Sequence, residues 1–186
     1  MLKRLRVDGR AIAIGRRTLF SNVGAKRHQE YVLDKTMYCS SREAYNVISE
    51  VSRYHEFLPY CKESFVQLRD SNEGRPTKAG LRIGFQQYDD KFVCDVQCNE
   101  DAKSDKYTVV AESISHNLFY FLSSQWTIRP HTNRKNCTEI RLSLKYQFKS
   151  ALYNTVSGIF AKSATTLVMK AFEKRIFDIK RGRVSN

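Results

Sequence analysis

Near residue 149 the hydrophobic pattern of this chain changes period. Upstream, apolar and polar residues alternate in one segment after another, so each segment has a face for a core and a face for water. Downstream, Ser150–Arg181 runs about thirty residues with no proline and one glycine, long enough for a helix well beyond the usual eleven or twelve residues. A sheet with one apolar face and a long terminal helix can each bury that surface only against the other.

The alternation is clearest in Ile140, Leu142, Leu144, Tyr146 and Phe148, interleaved with Arg141, Ser143, Lys145 and Gln147. Leu81, Ile83 and Phe85 alternate with Arg82, Gly84 and Gln86, and Phe92, Cys94, Val96 and Cys98 with Val93, Asp95 and Gln97. Glu63–Arg69, Tyr107–Ile114 and Phe119–Arg129 read as further strands, and Glu30–Tyr38 as the first. The connections from Glu63 onward are short and polar, which predicts one antiparallel sheet of about seven strands. Between the first two strands, Ser40 and Glu43 have capping-box spacing. Ala44, Val47, Ile48 and Val51 then form a single helical stripe, expected to end near Tyr54. An aromatic turn, Phe57-Leu58-Pro59-Tyr60, follows. In the terminal helix Leu152, Val156, Ile159, Phe160 and Leu167 share one side, and Val168, Phe172, Ile176 and Ile179 a rotated one. That drift argues against a coiled coil. The fold class is α+β.

The net charge of +13 is concentrated at the amino terminus. Residues 1–28 hold eight basic side chains and one acid, Asp8, with Leu2, Leu5, Val7, Ile12, Ile14, Leu19 and Phe20 between them. Acid-poor, Arg-rich and interspersed with apolar residues, this stretch fits a mitochondrial transit peptide better than a basic arm for RNA or lipid. It lacks the unbroken apolar run of a secretory signal. The expected organisation is a disordered transit segment at 1–28 and one domain at 29–186. A hydrophobic content of 41% is enough for a core, and no run reaches the roughly 18 residues of a membrane span. Five cysteines are an odd number in a domain too large to need staples. Cys94 and Cys98 read as small core residues rather than metal ligands. The four histidines lie in separate segments, and no HExxH, GxSxG, P-loop or GxGxxG is present. No metal, cofactor or catalytic residue is expected.

Several segments carry a resemblance in order along the chain. They are Tyr54-x-x-Phe57-Leu58-Pro59-Tyr60-Cys61, Gly80 with the strand after it, and Phe119-x-x-Leu122-x-x-x-Trp126. Phe148-Lys149-Ser150-x-Leu152-Tyr153 and Met169-x-x-x-Phe172-x-x-Arg175 complete the set. Over roughly residues 29–180 the chain resembles the mitochondrial coenzyme Q-binding protein family, within the START-like, helix-grip superfamily. The resemblance implies a curved sheet of about seven strands wrapped around the carboxy-terminal helix. It implies binding of ubiquinone or a related isoprenoid lipid, as ligand rather than cofactor. It also implies peripheral association with the matrix side of the mitochondrial inner membrane, in support of respiratory electron transport and coenzyme Q biosynthesis, and contact with complexes of those pathways. No catalytic activity comes with it.

A helix covers a strip only about 10 Å wide, so a broader sheet leaves a gap. The inward positions expected to line it are Ile83, Phe85, Phe92, Val96, Trp126, Leu144, Phe148, Val156, Phe160, Leu167 and Phe172, with Phe57, Leu58 and Pro59 at the rim. Any one of these serves equally well as core. The competing reading is a ribosome- or RNA-associated START-like protein using its basic surface, which the mature net charge of +6, well mixed with acids, supports only weakly. A cyclase-like enzyme would need a titratable group in the gap.

Overall fold

The computed structural model describes residues 29–85, 88–115, 119–149 and 151–185, with side chains for all of these except 85, 88, 115, 151–161 and 164. The expected transit segment at 1–28 lies outside the described residues.

Seven strands form one antiparallel sheet: β1 (Gln29–Met37), β2 (Cys61–Arg69), β3 (Pro76–Phe85), β4 (Tyr88–Asp101), β5 (Lys106–Ser115), β6 (Phe119–Pro130) and β7 (Thr138–Phe148). Their spatial order is β1-β7-β6-β5-β4-β3-β2, a continuous meander from β2 to β7 with the first strand closing onto the last. Two α-helices, α1 (Ser41–Ser49) and α2 (Ala151–Lys180), account for most of the rest.

The capping box forms as its spacing predicts. The Ser40 hydroxyl accepts from the Glu43 amide, and the Ser40 amide donates to the Glu43 carboxylate at 2.8 Å. Ala44, Val47 and Ile48 are buried, and Tyr45 stacks on Tyr107 with ring centroids 4.7 Å apart. The helix stops at Ser49, not near Tyr54. Glu50 leaves helical space (φ −84°, ψ 78°), and its carboxylate accepts two hydrogen bonds from Arg69, at 2.7 and 3.1 Å. That tie to β2 turns the backbone, and Val51–Glu56 continues as a 3-10 helix that still buries Val51 and Tyr54.

The second half of α2 buries Thr165, Met169, Phe172, Arg175 and Ile176, with Val168 and Ile179 partly covered. Leu167 stands 42% exposed. At about 100° per residue it is some 140° around the helix from Phe172, so the sheet cannot reach both.

The apolar interior is in two parts. The main cluster runs from Met37 through α1, the inner faces of β3–β7, Phe172 and Ile176. A smaller one joins Tyr146 and Phe148 to Phe119, Leu122 and Leu144 at the far end of β6 and β7.

Candidate functional site

Between these clusters lies a cavity of about 260 Å³, enclosed by the sheet, the 3-10 helix with its aromatic turn, and α2. Its cause is a row of small inward side chains crossing four strands. Ala79 pairs with Cys94, Val96 with Ala111, and Ala111 with Ser124. Where Val, Leu or Phe would fill the space beneath a single helix, Ala79, Cys94, Ala111 and Ser124 leave it open. Leu81, Ile83 and Phe92 wall one side, and Leu122, Leu142 and Leu144 the other.

The third wall is aromatic. Phe172 on α2 is fully buried, with centroids 4.8 Å from Trp126, 5.1 Å from Tyr54 and 5.1 Å from Phe57 in edge-to-face contacts. Tyr54 spends its hydroxyl on the Ile48 carbonyl, so only its ring faces the cavity. The aromatic turn is held to the 3-10 helix by the Leu58 amide donating to the Tyr54 carbonyl at 2.8 Å. On its other side the Gly84 amide of β3 donates to the Tyr60 carbonyl at 2.9 Å. Tyr60 itself has φ +65°, a left-handed conformation uncommon for a bulky residue, and its side chain is half exposed. Arg175 clamps the turn from below. Buried on α2, it donates to Glu56 at 2.6 Å and to the Ser185 carbonyl at 3.1 Å, and its guanidinium lies 5.5 Å from the Phe57 ring centroid.

Of the residues expected from sequence, the structure brings Leu58, Pro59, Ile83, Phe92, Val96, Trp126, Leu144 and Phe172 together around the cavity. Three take other places. Phe57 packs between Tyr54, Phe172 and Arg175, behind the lining. Phe148 faces inward but stacks on Phe119 at 4.6 Å in the smaller cluster. Leu167 points to solvent, so a charge there would leave the cavity untouched. The side chains of Phe85, Val156 and Phe160 lie outside the described residues. The alternation read large apolar residues as walls and passed over Ala79, Ala111 and Ser124; a sequence signal existed, since these are the small residues at inward positions of neighbouring strands.

The described lining contains no carboxylate and no imidazole. Its one thiol, Cys94, is pushed up to about 12 by burial and so stays protonated. His55 sits outside, its Nδ1 2.8 Å from the Ser64 hydroxyl and 3.0 Å from the Ser52 carbonyl, bracing the start of β2. Cys98 packs against the main cluster, and among the described residues no group of three or more His, Cys, Asp or Glu could hold a metal. No described helix is long and apolar enough to cross a membrane. Much of the basic surface is met by acids: Arg82 by Asp89 and Glu63, Arg141 by Asp34, and Arg129 by Glu139. Such pairing intersperses acids among the basic side chains rather than leaving these arginines as an unbroken stripe for a phosphate backbone.

Comparison with known proteins agrees with this geometry. Residues 39–173 match the family described as polyketide cyclase / dehydrase and lipid transport. The chain is 50% identical over 155 residues to the mitochondrial coenzyme Q-binding protein of Saccharomyces cerevisiae, covering 83% of this chain and 74% of that one. It is 44% identical over 169 residues to that of Eremothecium gossypii, covering 90% and 82%. The chain belongs to the mitochondrial coenzyme Q-binding protein family. Its fold is shared by a START superfamily protein from Mycobacterium smegmatis at TM-score 0.71 and 17% identity, over 82% of this chain and 99% of that one. In this coenzyme Q-binding family member, then, the helix-grip architecture that the resemblance implied is the one present.

Proposed function

We propose that this protein binds coenzyme Q, or a related isoprenoid quinone, in the cavity between sheet and α2, without catalysing a reaction on it. The observation that carries this reading is the cavity itself: among the described residues it has aliphatic and aromatic walls, three hydroxyl-bearing residues and one protonated thiol, and no carboxylate or imidazole. The relatives named as coenzyme Q-binding proteins support it. The space is slightly below the roughly 300–1,000 Å³ usual for ligand pockets, so it takes a quinone ring and the start of its tail, the remaining tail leaving through the mouth. Each five-carbon isoprene unit moved out of water is worth about 4 kcal/mol, at about 0.8 kcal/mol per carbon, which makes transfer without water contact the reason for a protein carrier. The quinone is cargo, handed to respiratory or biosynthetic enzymes.

The donor and acceptor surface is a bilayer, read here as the matrix face of the mitochondrial inner membrane. Tyr60, Ile114, Tyr120 and Phe121 are exposed at the end of the sheet where the β3–β4 and β5–β6 turns lie and where Leu58, Pro59 and Ile83 line the cavity. Tyrosine and other apolar side chains at such an edge suit the headgroup level of a membrane.

Native mass spectrometry with organic extraction tests the binding. Protein purified from ubiquinone-making cells is expected to carry one isoprenoid quinone per chain. Delipidated protein that takes up no quinone from vesicles would overturn the reading. Salt-sensitive co-sedimentation of such protein with ribosomes would replace it with the nucleic-acid alternative.

A further inference from the structure

Three residues of the cavity lining carry a hydroxyl group: Tyr54, Thr165 and Ser124. Tyr54 donates outward to Ile48. Thr165 is buried on α2 and engaged in contacts of its own. Ser124 differs from both. It sits on the inner face of β6, between Leu122 and Trp126, which line the cavity with it. Its cross-strand neighbours are Ala111 on β5 and Leu144 on β7, neither with a polar side-chain atom. No hydrogen bond to its side chain occurs among the described residues. An aliphatic or alanine side chain would satisfy this position by every packing criterion. A hydroxyl in an apolar chamber instead leaves a donor waiting for an acceptor that no described residue supplies.

We infer that Ser124 Oγ donates a hydrogen bond to one carbonyl oxygen of the bound quinone. The inference rests on the reading that the cavity takes a quinone, and adds how the ring end is recognised and oriented. The ring lies one alternate position deeper than Leu122, over the small residues Ala111 and Cys94, with its tail directed toward Leu58, Pro59 and Ile83. A lipid without a carbonyl fits the same walls but gains nothing from Ser124. The site therefore discriminates by polarity at one point in an otherwise greasy chamber.

The test uses the delipidated full chain, a decyl-tailed dimethoxy-methyl-benzoquinone labelled with ¹³C at the carbonyls, and squalene as a carbonyl-free probe. Ser124→Ala is expected to weaken the quinone about threefold to tenfold, the span of a single net hydrogen bond, and to leave squalene uptake unchanged. In infrared difference spectra, one carbonyl band of the bound quinone should be shifted to lower frequency. Ser124→Ala should lose that shift and Ser124→Thr should keep it. Quinone affinity and carbonyl band both unchanged in Ser124→Ala would overturn the assignment while the cavity reading stands. A shift lost in Thr165→Val but kept in Ser124→Ala would move the donor to α2 and overturn it too. If the wild-type chain takes up squalene but no quinone, or neither probe, the binding reading itself fails and this inference with it.

Discussion

Filling the cavity separates its two roles. Ala111 occupies the centre of the small-residue row, and Ala111→Leu adds three carbons pointing into a space of about 260 Å³. Burying them is worth about 2.4 kcal/mol at 0.8 kcal/mol per carbon, less roughly 0.5–1 kcal/mol for fixing the leucine rotamer. The ligand-free protein should thus gain about 1.5–2 kcal/mol, or roughly 3–8 °C in Tm for a domain of this size. The same carbons displace an equal length of ligand, so quinone affinity should fall by about 2.4 kcal/mol, on the order of 50-fold. Calorimetry of delipidated protein and titration with a short-tailed quinone measure both quantities on one sample. Val110→Leu, on the opposite face of β5, is the control and should change neither. An Ala111→Leu protein that is less stable yet binds quinone as before would refute the argument, since the space would then be neither unfilled nor occupied by ligand.

Gly80→Ala should destabilise by about 1–3 kcal/mol in urea unfolding, because a Cβ there falls 2.3 Å from the Phe65 ring and 2.7 Å from the Phe92 carbonyl oxygen. Adding Phe65→Leu should recover part of the loss, the backbone clash remaining. Arg175→Met should cost about 1–3 kcal/mol by removing the buried donor that Glu56 and the Ser185 carbonyl share with Arg53, and should speed quinone release as the turn carrying Leu58 and Pro59 loosens. Stability should also decline in alkali. Burial pushes the Cys39, Cys61 and Cys98 thiols up to about 11 and Cys94 to about 12, against about 8.5 in the unfolded chain. A pKa raised on folding stabilises fully below the unfolded value and is lost as pH climbs toward the folded one. Tm should therefore fall between about pH 9 and 11, and thiol reagents at pH 8 should react with the buried Cys39 and Cys61 only as fast as the chain opens.

The seven strands and the long helix were legible because alternation and helical periodicity are local. A half-buried strand writes its geometry into every second residue, and the Ser40–Glu43 cap needs only four positions. The end of α1 was not, since it depends on Arg69 reaching back from β2 to Glu50. The cavity was half legible. Its large walls, such as Phe92, Trp126 and Phe172, stand out in the alternating pattern. The empty centre arises only where the Ala79–Cys94 and Ala111–Ser124 pairs fall beside each other, one inward position apart, and that placement is set by register, including the shifts at Val93/Cys94 and Phe119/Phe121. Leu167 misled for a similar reason: a stripe drifting around a thirty-residue helix does not itself say which half the sheet will cover.

The split interior has a thermodynamic consequence. Leu122 and Leu144 border the cavity and also belong with Tyr146, Phe148 and Phe119, so the two clusters meet across the space of the cavity. Without a ligand, the Phe119–Leu122 and Leu144–Phe148 ends form a separate cooperative unit whose amides should exchange with solvent before those of Trp126–Ile128 and Ile140–Leu142. An isoprenoid bound in the proposed site would span the divide and make the exchange free energies converge. Loading would then be felt at the sheet's open end as a gain in rigidity, so that full and empty carriers present a partner with surfaces of the same shape and different mobility.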